Sequence, residues 1–85
     1  MTNYKIVGIA IKDRIKEAGK TQKVLTEFAG IIRSRLGFHE VSEYTCSRVG
    51  FIILQVIDDK QRYEQFLDAM KQIDGIELQE MNFTI

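Results

Sequence analysis

Residues 4–12 read YKIVGIAIK, and the fold turns on how that stretch is read. In an extended strand Val7, Ile9 and Ile11 face one side, while Ile6, Gly8 and Ala10 face the other. Residues 51–57, FIILQVI, behave the same way, with Phe51, Ile53 and Ile57 on one face and Ile52, Leu54 and Val56 on the other. Strands apolar on both faces belong at the centre of a sheet that is covered on both sides. By contrast FHEVSEYTCSR (38–48) and IELQEMNFT (76–84) alternate weakly and are largely polar. They suit sheet edges, where polar side chains discourage stray pairing.

Two helical patterns separate these strands. Val24, Leu25, Phe28, Ile31 or Ile32, and Leu36 recur at three- and four-residue steps. Thr21 serves as the N-cap of that helix, with Asp13 as an earlier start. Arg33 and Arg35 then fall in its last turn and Gly37 just beyond, as the helix dipole and a left-handed C-cap prefer. Gly30 inside the pattern marks a kink or a close contact. In the second helix Asp58 or Asp59 is the cap, Tyr63, Phe66, Leu67, Met70 and Ile73 form the apolar stripe, and Asp74-Gly75 ends it.

The expected order is β1 (about 4–12), α1 (about 21–36), β2 (about 38–47), β3 (about 50–57), α2 (about 59–73) and β4 (about 76–84). Two right-handed β-α-β crossovers in this order build an α+β, ferredoxin-like βαββαβ sandwich. Its four-stranded antiparallel sheet carries both helices on one face, with β1 and β3 inside. Two helices cover one face only, yet β1 and β3 are apolar on both. At roughly 25 cal/mol per Å² of apolar surface, the second face is expected to be covered by another copy or another protein.

The 85 residues make one domain, 1–85, with a thin core. Twelve basic and twelve acidic side chains cancel, but residues 1–35 hold eight basic against three acidic and residues 36–85 hold four against nine. Such a split can steer one subunit onto another, although a solvated basic helix explains it more simply. A sustained basic surface on a reading motif is missing, so direct nucleic-acid binding is not expected. Neither a secretory signal nor a membrane-spanning run is visible, and one cysteine cannot staple the fold, so a cytoplasmic protein is expected.

His39 and Cys46 are the chain's only histidine and cysteine. Seven positions along one strand would separate them by roughly 23 Å and place them on opposite faces. A metal needs ligands at about 2.0–2.3 Å, so no site within one chain is expected, and no cofactor. Arg48 lies two residues beyond Cys46 and could favour its thiolate, but no base or orienting group accompanies it. His39 reads as an edge-strand residue, Gly50 as a hairpin-turn residue, and Gly8 as a point of close approach for a helix or a ligand. The glycines form no phosphate-binding loop, and Glu40 and Glu43 read as solvated edge charges. No enzyme is expected.

The run RLGFHEVSEYTCSRVGFIILQV (35–56) and the ending IDGIELQEMNF (73–83) resemble the regulators of the iron-only hydrogenase system. The likeness extends from IVGIAIKDR to Phe83 and is sharpest at Arg35-Leu36-Gly37 and at Cys46-Ser47-Arg48 with Gly50 before IILQ. It implies an ACT-like ferredoxin fold that associates through its sheets, and it brings no catalytic residues. A looser likeness runs to the C-terminal domain of nickel-responsive regulators, whose strand before the IILQ-like strand carries a Cys and several His. Here Cys46 stands two residues early and Arg48 takes the matching place. ACT domains proper often follow an Asp closely by a Gly next to their amino-acid site, whereas Asp13 and Gly19 are separated by RIKEA.

The resulting expectation is a non-enzymatic, homo-oligomeric ACT-like regulatory or ligand-sensing module. Its ligand site is expected around Arg35, His39, Cys46 and Arg48, beside the oligomer face. Two rivals are a metal or thiol sensor using Cys46 at a subunit interface, and a scaffold that pairs its open sheet face with another protein.

Overall fold

In the computed structural model, which describes residues 1–41 and 46–85, the two oily strands do lie at the centre. The order along the chain is β1 (Asn3–Ile11), α1 (Arg14–Glu27), a 3-10 turn (Ala29–Ile31), β2 (Ile32–Val41), β3 (Cys46–Val56), α2 (Lys60–Lys71) and β4 (Ile76–Thr84). The sheet runs β2-β3-β1-β4 with every neighbour antiparallel. Val7 lies opposite Leu54 and Ile9 opposite Ile52, so both strands send matching side chains to the helix-covered face. There Val7, Ile9, Ile11, Ile52, Leu54 and Val56 are buried against Leu25, Phe28, Phe66 and Met70. Phe28 and Phe66 join the helices edge to face, centroids 5.6 Å apart.

The second helix follows the expected pattern. Asp59 caps it, its Oδ1 accepting the Arg62 amide at 3.1 Å. Tyr63, Phe66, Met70 and Ile73 are its buried stripe. Gly75 follows with φ +71°, a left-handed conformation that favours glycine, and its carbonyl accepts the Lys12 amide at 2.9 Å.

The first helix does not follow it. It begins at Asp13, whose side chain accepts the Lys16 amide, and it ends at Glu27. Thr21 is therefore mid-helix and buried, not a cap. Arg33, Arg35 and Gly37 belong to β2, so they do not close α1. The cation at the end of α1 comes from α2 instead: Arg62 donates to the Glu27 carbonyl at 3.2 Å and lies over the Phe28 ring. The misleading signal was a coincidence of periods. Ile32, Leu36 and Phe38 suit a strand that alternates by two, yet 28, 32 and 36 also fit a helical step. Gly30 sits in the 3-10 turn that ends the helix, with no atom within 4 Å of a Cβ built there, so it marks the break and not a contact.

Two further expectations are corrected. Gly50 is not at a turn but inside β3, opposite His39 and Ile11. Gly8 meets no helix, because its parity places it on the open face, where a Cβ would approach only the Gln79 carbonyl at 4.0 Å. The hairpin tip between β2 and β3, including Glu43, lies outside the described residues.

The open face carries Tyr4 and Ile6 from β1, Phe51 and Ile53 from β3, Leu36 and Phe38 from β2, and Met81 and Phe83 from β4, by the register of the four strands. Leu36 is 61% exposed, Phe38 49%, Phe51 43% and Met81 56%. The Phe38 and Phe51 rings stack across the hairpin at 5.6 Å.

Candidate functional site

Helix α1 crosses β3 and β2 with its N-terminal half near the hairpin, and a groove of ≈ 220 Å³ opens between them. One wall is Ala18, Thr21 and Gln22 of α1, and the floor includes Gly37 and His39 of β2 with Gly50 of β3. The sequence of each element explains the opening. His39 pairs with Gly50 and Gly37 with Ile52, so each of these two pairs brings only one side chain to the helix-facing side of the hairpin. At Gly50 the reason is contact: a Cβ there would stand 3.2 Å from the Arg14 Cβ and 3.3 Å from its Cδ. The stem of Arg14 occupies that space while its Nε donates to the Ser47 carbonyl at 2.8 Å. At Gly37 there is no such demand, since a Cβ would meet nothing nearer than 3.9 Å. Glycine at 37 leaves space and nothing replaces it.

Of the expected site residues, His39 lines this groove and Arg35 and Arg48 each reach α1 beside it, while the side chain of Cys46 lies outside the described residues. Arg35 reaches α1, donating from Nη2 to Gln22 Oε1 at 2.9 Å. Arg48 pairs with the α1 cap, Nη1 to Asp13 Oδ1 at 3.3 Å. The Asp13 carboxyl is held below the usual range, first by the Lys16 amide and also by the Arg48 guanidinium. His39 lines the groove itself.

Cys46 and His39 are not on one strand. Cys46 opens β3 opposite Val41, two residues beyond His39 on β2, which is ~7 Å along the ladder. The expected separation of two ligands on a single strand therefore does not hold, and distance no longer argues against a site. Among the described residues no three His, Cys, Asp or Glu side chains are grouped to hold a metal.

Two buried residues of α1 are polar, and neither is expected in a core from the sequence: Thr21 reads there as a cap, and Glu17 draws no role. Glu17, Thr21 and Leu25 form the buried stripe of α1. Thr21 is 1% exposed, and its Oγ1 has no hydrogen-bond partner. Glu17 is equally buried, with Oε2 lacking a hydrogen bond and the Lys16 and Lys20 ammonium groups each 3.9 Å from its carboxylate. Buried polar atoms are nearly always paired, so these two stand out. Elsewhere depressions are satisfied from within. One of ≈ 180 Å³ at the far end of the sheet has Asn3 bonded to Asp58 at 3.3 Å and Thr84 bonded to Asn3 at 3.1 Å.

A second depression, ≈ 270 Å³, lies on the open face over Gly8 and Ala10, between Phe38, Phe51 and Ile53 on one side and Glu77 and Gln79 on the other. It is part of the apolar face rather than of the groove.

No family model and no curated protein matches the chain. Solved structures do. An uncharacterized protein from Thermotoga maritima is 22% identical with a TM-score of 0.77, covering 95% of this chain and 96% of that one. CPII, a nitrogen regulatory PII-like protein from Thiomonas intermedia K12 solved with ADP, AMP and bicarbonate, is 9% identical with a TM-score of 0.62, covering 98% and 94%. The de novo designed protein Foldit4 is 15% identical with a TM-score of 0.57, covering 98% and 97%. At these identities the likeness is one of fold. The chain has the ferredoxin-like α+β architecture that a PII-like regulator and a designed protein also have, and a shared fold does not carry a shared function.

Proposed function

We propose that the chain is a non-enzymatic ACT-like regulatory module that senses a small ligand and works as a homo-oligomer through its open sheet face. The carrying observation is that face. Leu36, Phe38, Phe51, Met81 and Phe83 are exposed together on it, and the central strands contribute Ile6 and Ile53 between them. Four strands of about nine residues make a face of roughly 600 Å² in plan. That approaches the ~800 Å² each partner gives to a stable interface. Isolated exposed apolar residues need no explanation, but a continuous face of them does.

The ligand-sensing part rests on the groove with its orphaned hydroxyl, and on the nucleotide and bicarbonate ligands of CPII as a precedent for this architecture. The sequence resemblance over residues 35–56 and 73–83 supports a link to the iron-only hydrogenase system, and in this reading the module acts in the cytoplasm without direct contact with DNA or membrane. Among the described residues no helix is long and apolar enough to cross a membrane.

Sedimentation equilibrium at micromolar concentration is expected to give a dimer or a larger closed oligomer. The double substitution Leu36→Glu with Phe51→Glu is expected to give a folded monomer. A wild-type chain that is a monodisperse monomer would retire the self-association reading. A stoichiometric different protein recovered on the same face would favour the scaffold reading instead. Deletion of the gene that leaves hydrogenase activity unchanged would separate the module from that system.

A further inference from the structure

We propose that the α1–hairpin groove binds the oxyanion of a small metabolite, a carboxylate or a phosphate, with the Thr21 hydroxyl as its buried hydrogen-bond donor. This deepens the ligand-sensing reading above and rests on it.

Three observations carry the assignment. Thr21 lines the groove, is 1% exposed, and its Oγ1 has no partner in the protein. A hydroxyl has one proton to donate, and an anionic oxygen is the acceptor that makes the strongest bond with it. Second, the described lining of the groove includes a guanidinium, that of Arg14. Arg35 holds the Gln22 wall, while among the described lining residues there is no carboxylate. Of the two nearest acids of α1, Asp13 is committed to Arg48 and the Lys16 amide, and Glu17, which does not line the groove, has the Lys16 and Lys20 ammonium groups 3.9 Å away. Third, the floor is kept clear at Gly37 without a packing reason, since a side chain there would meet only ordinary contacts. A residue that gives up strand propensity and fills nothing leaves room for something else.

Size narrows the class. At ≈ 220 Å³ the groove lies below the ~300 Å³ at which ordinary ligand pockets begin. It admits an anionic group with a few carbons and not a whole nucleotide. His39 at the floor adds a ring nitrogen as a further hydrogen-bonding group. The groups facing it are Arg14, Thr21 and Gln22 from α1, with Gly50 beneath.

The test is a 15N–1H titration of the full chain with inorganic phosphate and, separately, with succinate, each against sodium chloride at matched ionic strength. Saturable shifts are expected at the amides of Thr21, Gln22, Gly37 and Gly50. The tighter of the two probes identifies the source of the anion. Thr21→Val is expected to weaken binding about tenfold, the effect of one lost hydrogen bond to a charged group, while Thr21→Ser restores it. Gly37→Leu is expected to abolish it with the rest of the spectrum unmoved. The proposal is overturned if neither probe gives saturable shifts at these amides up to ~20 mM. It is equally overturned if chloride reproduces the shifts, or if Thr21→Val binds as well as the parent. Sedimentation of the same samples keeps the two readings apart. An oligomer that binds no anion defeats this assignment alone, whereas a monomer that binds one defeats only the self-association reading.

Discussion

The two helices cover the same sheet with opposite chemistry. Helix α2 buries Tyr63, Phe66 and Met70 at steps of three and four, while α1 buries Glu17, Thr21 and Leu25 at steps of four. Both stripes are inside the protein, but only that of α2 is apolar throughout. The polar atoms of Tyr63 are provided for: its hydroxyl donates to Glu80, and Lys5 both pairs with Glu80 at 3.4 Å and lies over the Tyr63 ring. Those of Glu17 and Thr21 are left over. One helix anchors the fold, then, and the other keeps unspent hydrogen-bonding capacity beside a groove. Burial alone does not separate a structural element from a functional one; the pairing of buried polar atoms does.

Substitutions can break this contrast. The largest effect is expected at the anchor. Phe66→Ala should cost about 3–5 kcal/mol in urea unfolding, since Phe66 is fully buried and packs edge to face on Phe28. A loss below ~1 kcal/mol would mean that α2 is not the anchor. Making α1 resemble α2 should act in the opposite direction. Glu17→Met removes a buried carboxylate held only by two exposed lysines, and it is expected to be neutral or to stabilise by about 1–3 kcal/mol. Thr21→Val keeps shape and removes an orphaned hydroxyl, with an expected gain on the order of 1 kcal/mol. If either change destabilises strongly, the polar stripe has a structural partner and the contrast fails.

Titration gives the smallest effects and distinguishes the two helix starts. At α1 the lowered pKa of Asp13 contributes stability that is present above the ordinary 3.8 and lost as pH falls through the lower folded value. Asp13→Asn should flatten that acid limb. At α2 the Tyr63–Glu80 hydrogen bond acts as a latch between helix and sheet, and it has two limbs. Glu80 is held below its ordinary 4.5, first by the Tyr63 hydrogen bond, so its contribution is lost as pH falls through the folded value. Tyr63 is raised above its ordinary 10.0, first by burial and then by Glu80, so its contribution is complete below pH 10 and lost as pH rises further. Tyr63→Phe should remove the alkaline limb and shrink the acid one. Thermal melts across pH that show no difference between these variants and the parent would remove the latch from the account.

How much of the molecule was legible depended on where polarity and burial agree. At β1 and β3 every buried residue is apolar, so the two-sided pattern of YKIVGIAIK and FIILQV was enough to place them inside the sheet. At α2 the cap, stripe and terminal glycine also agree with one another. At α1 they do not, because Glu17 and Thr21 face inward and Ile15 faces solvent. Periodicity read from hydrophobic residues therefore slid the helix toward the next apolar cluster, which belongs to β2. The groove was lost with it. The sequence pattern puts Arg35 and Gly37 at a helix end and gives Arg14 and Gln22 no distinguishing feature, although His39 and Arg48 stand out in it.

By itself, then, the order of residues determined the element types, the strand order and the oily second face of the sheet. These follow from local periodicity and from the cost of leaving apolar strands wet, both properties of short stretches of chain. Only the tertiary structure decided where α1 begins, which buried polar atoms lack partners, and that His39 and Cys46 stand on adjacent strands. Each of those depends on groups far apart in sequence meeting in space, and a hydroxyl is orphaned or satisfied only by what the rest of the fold brings to it.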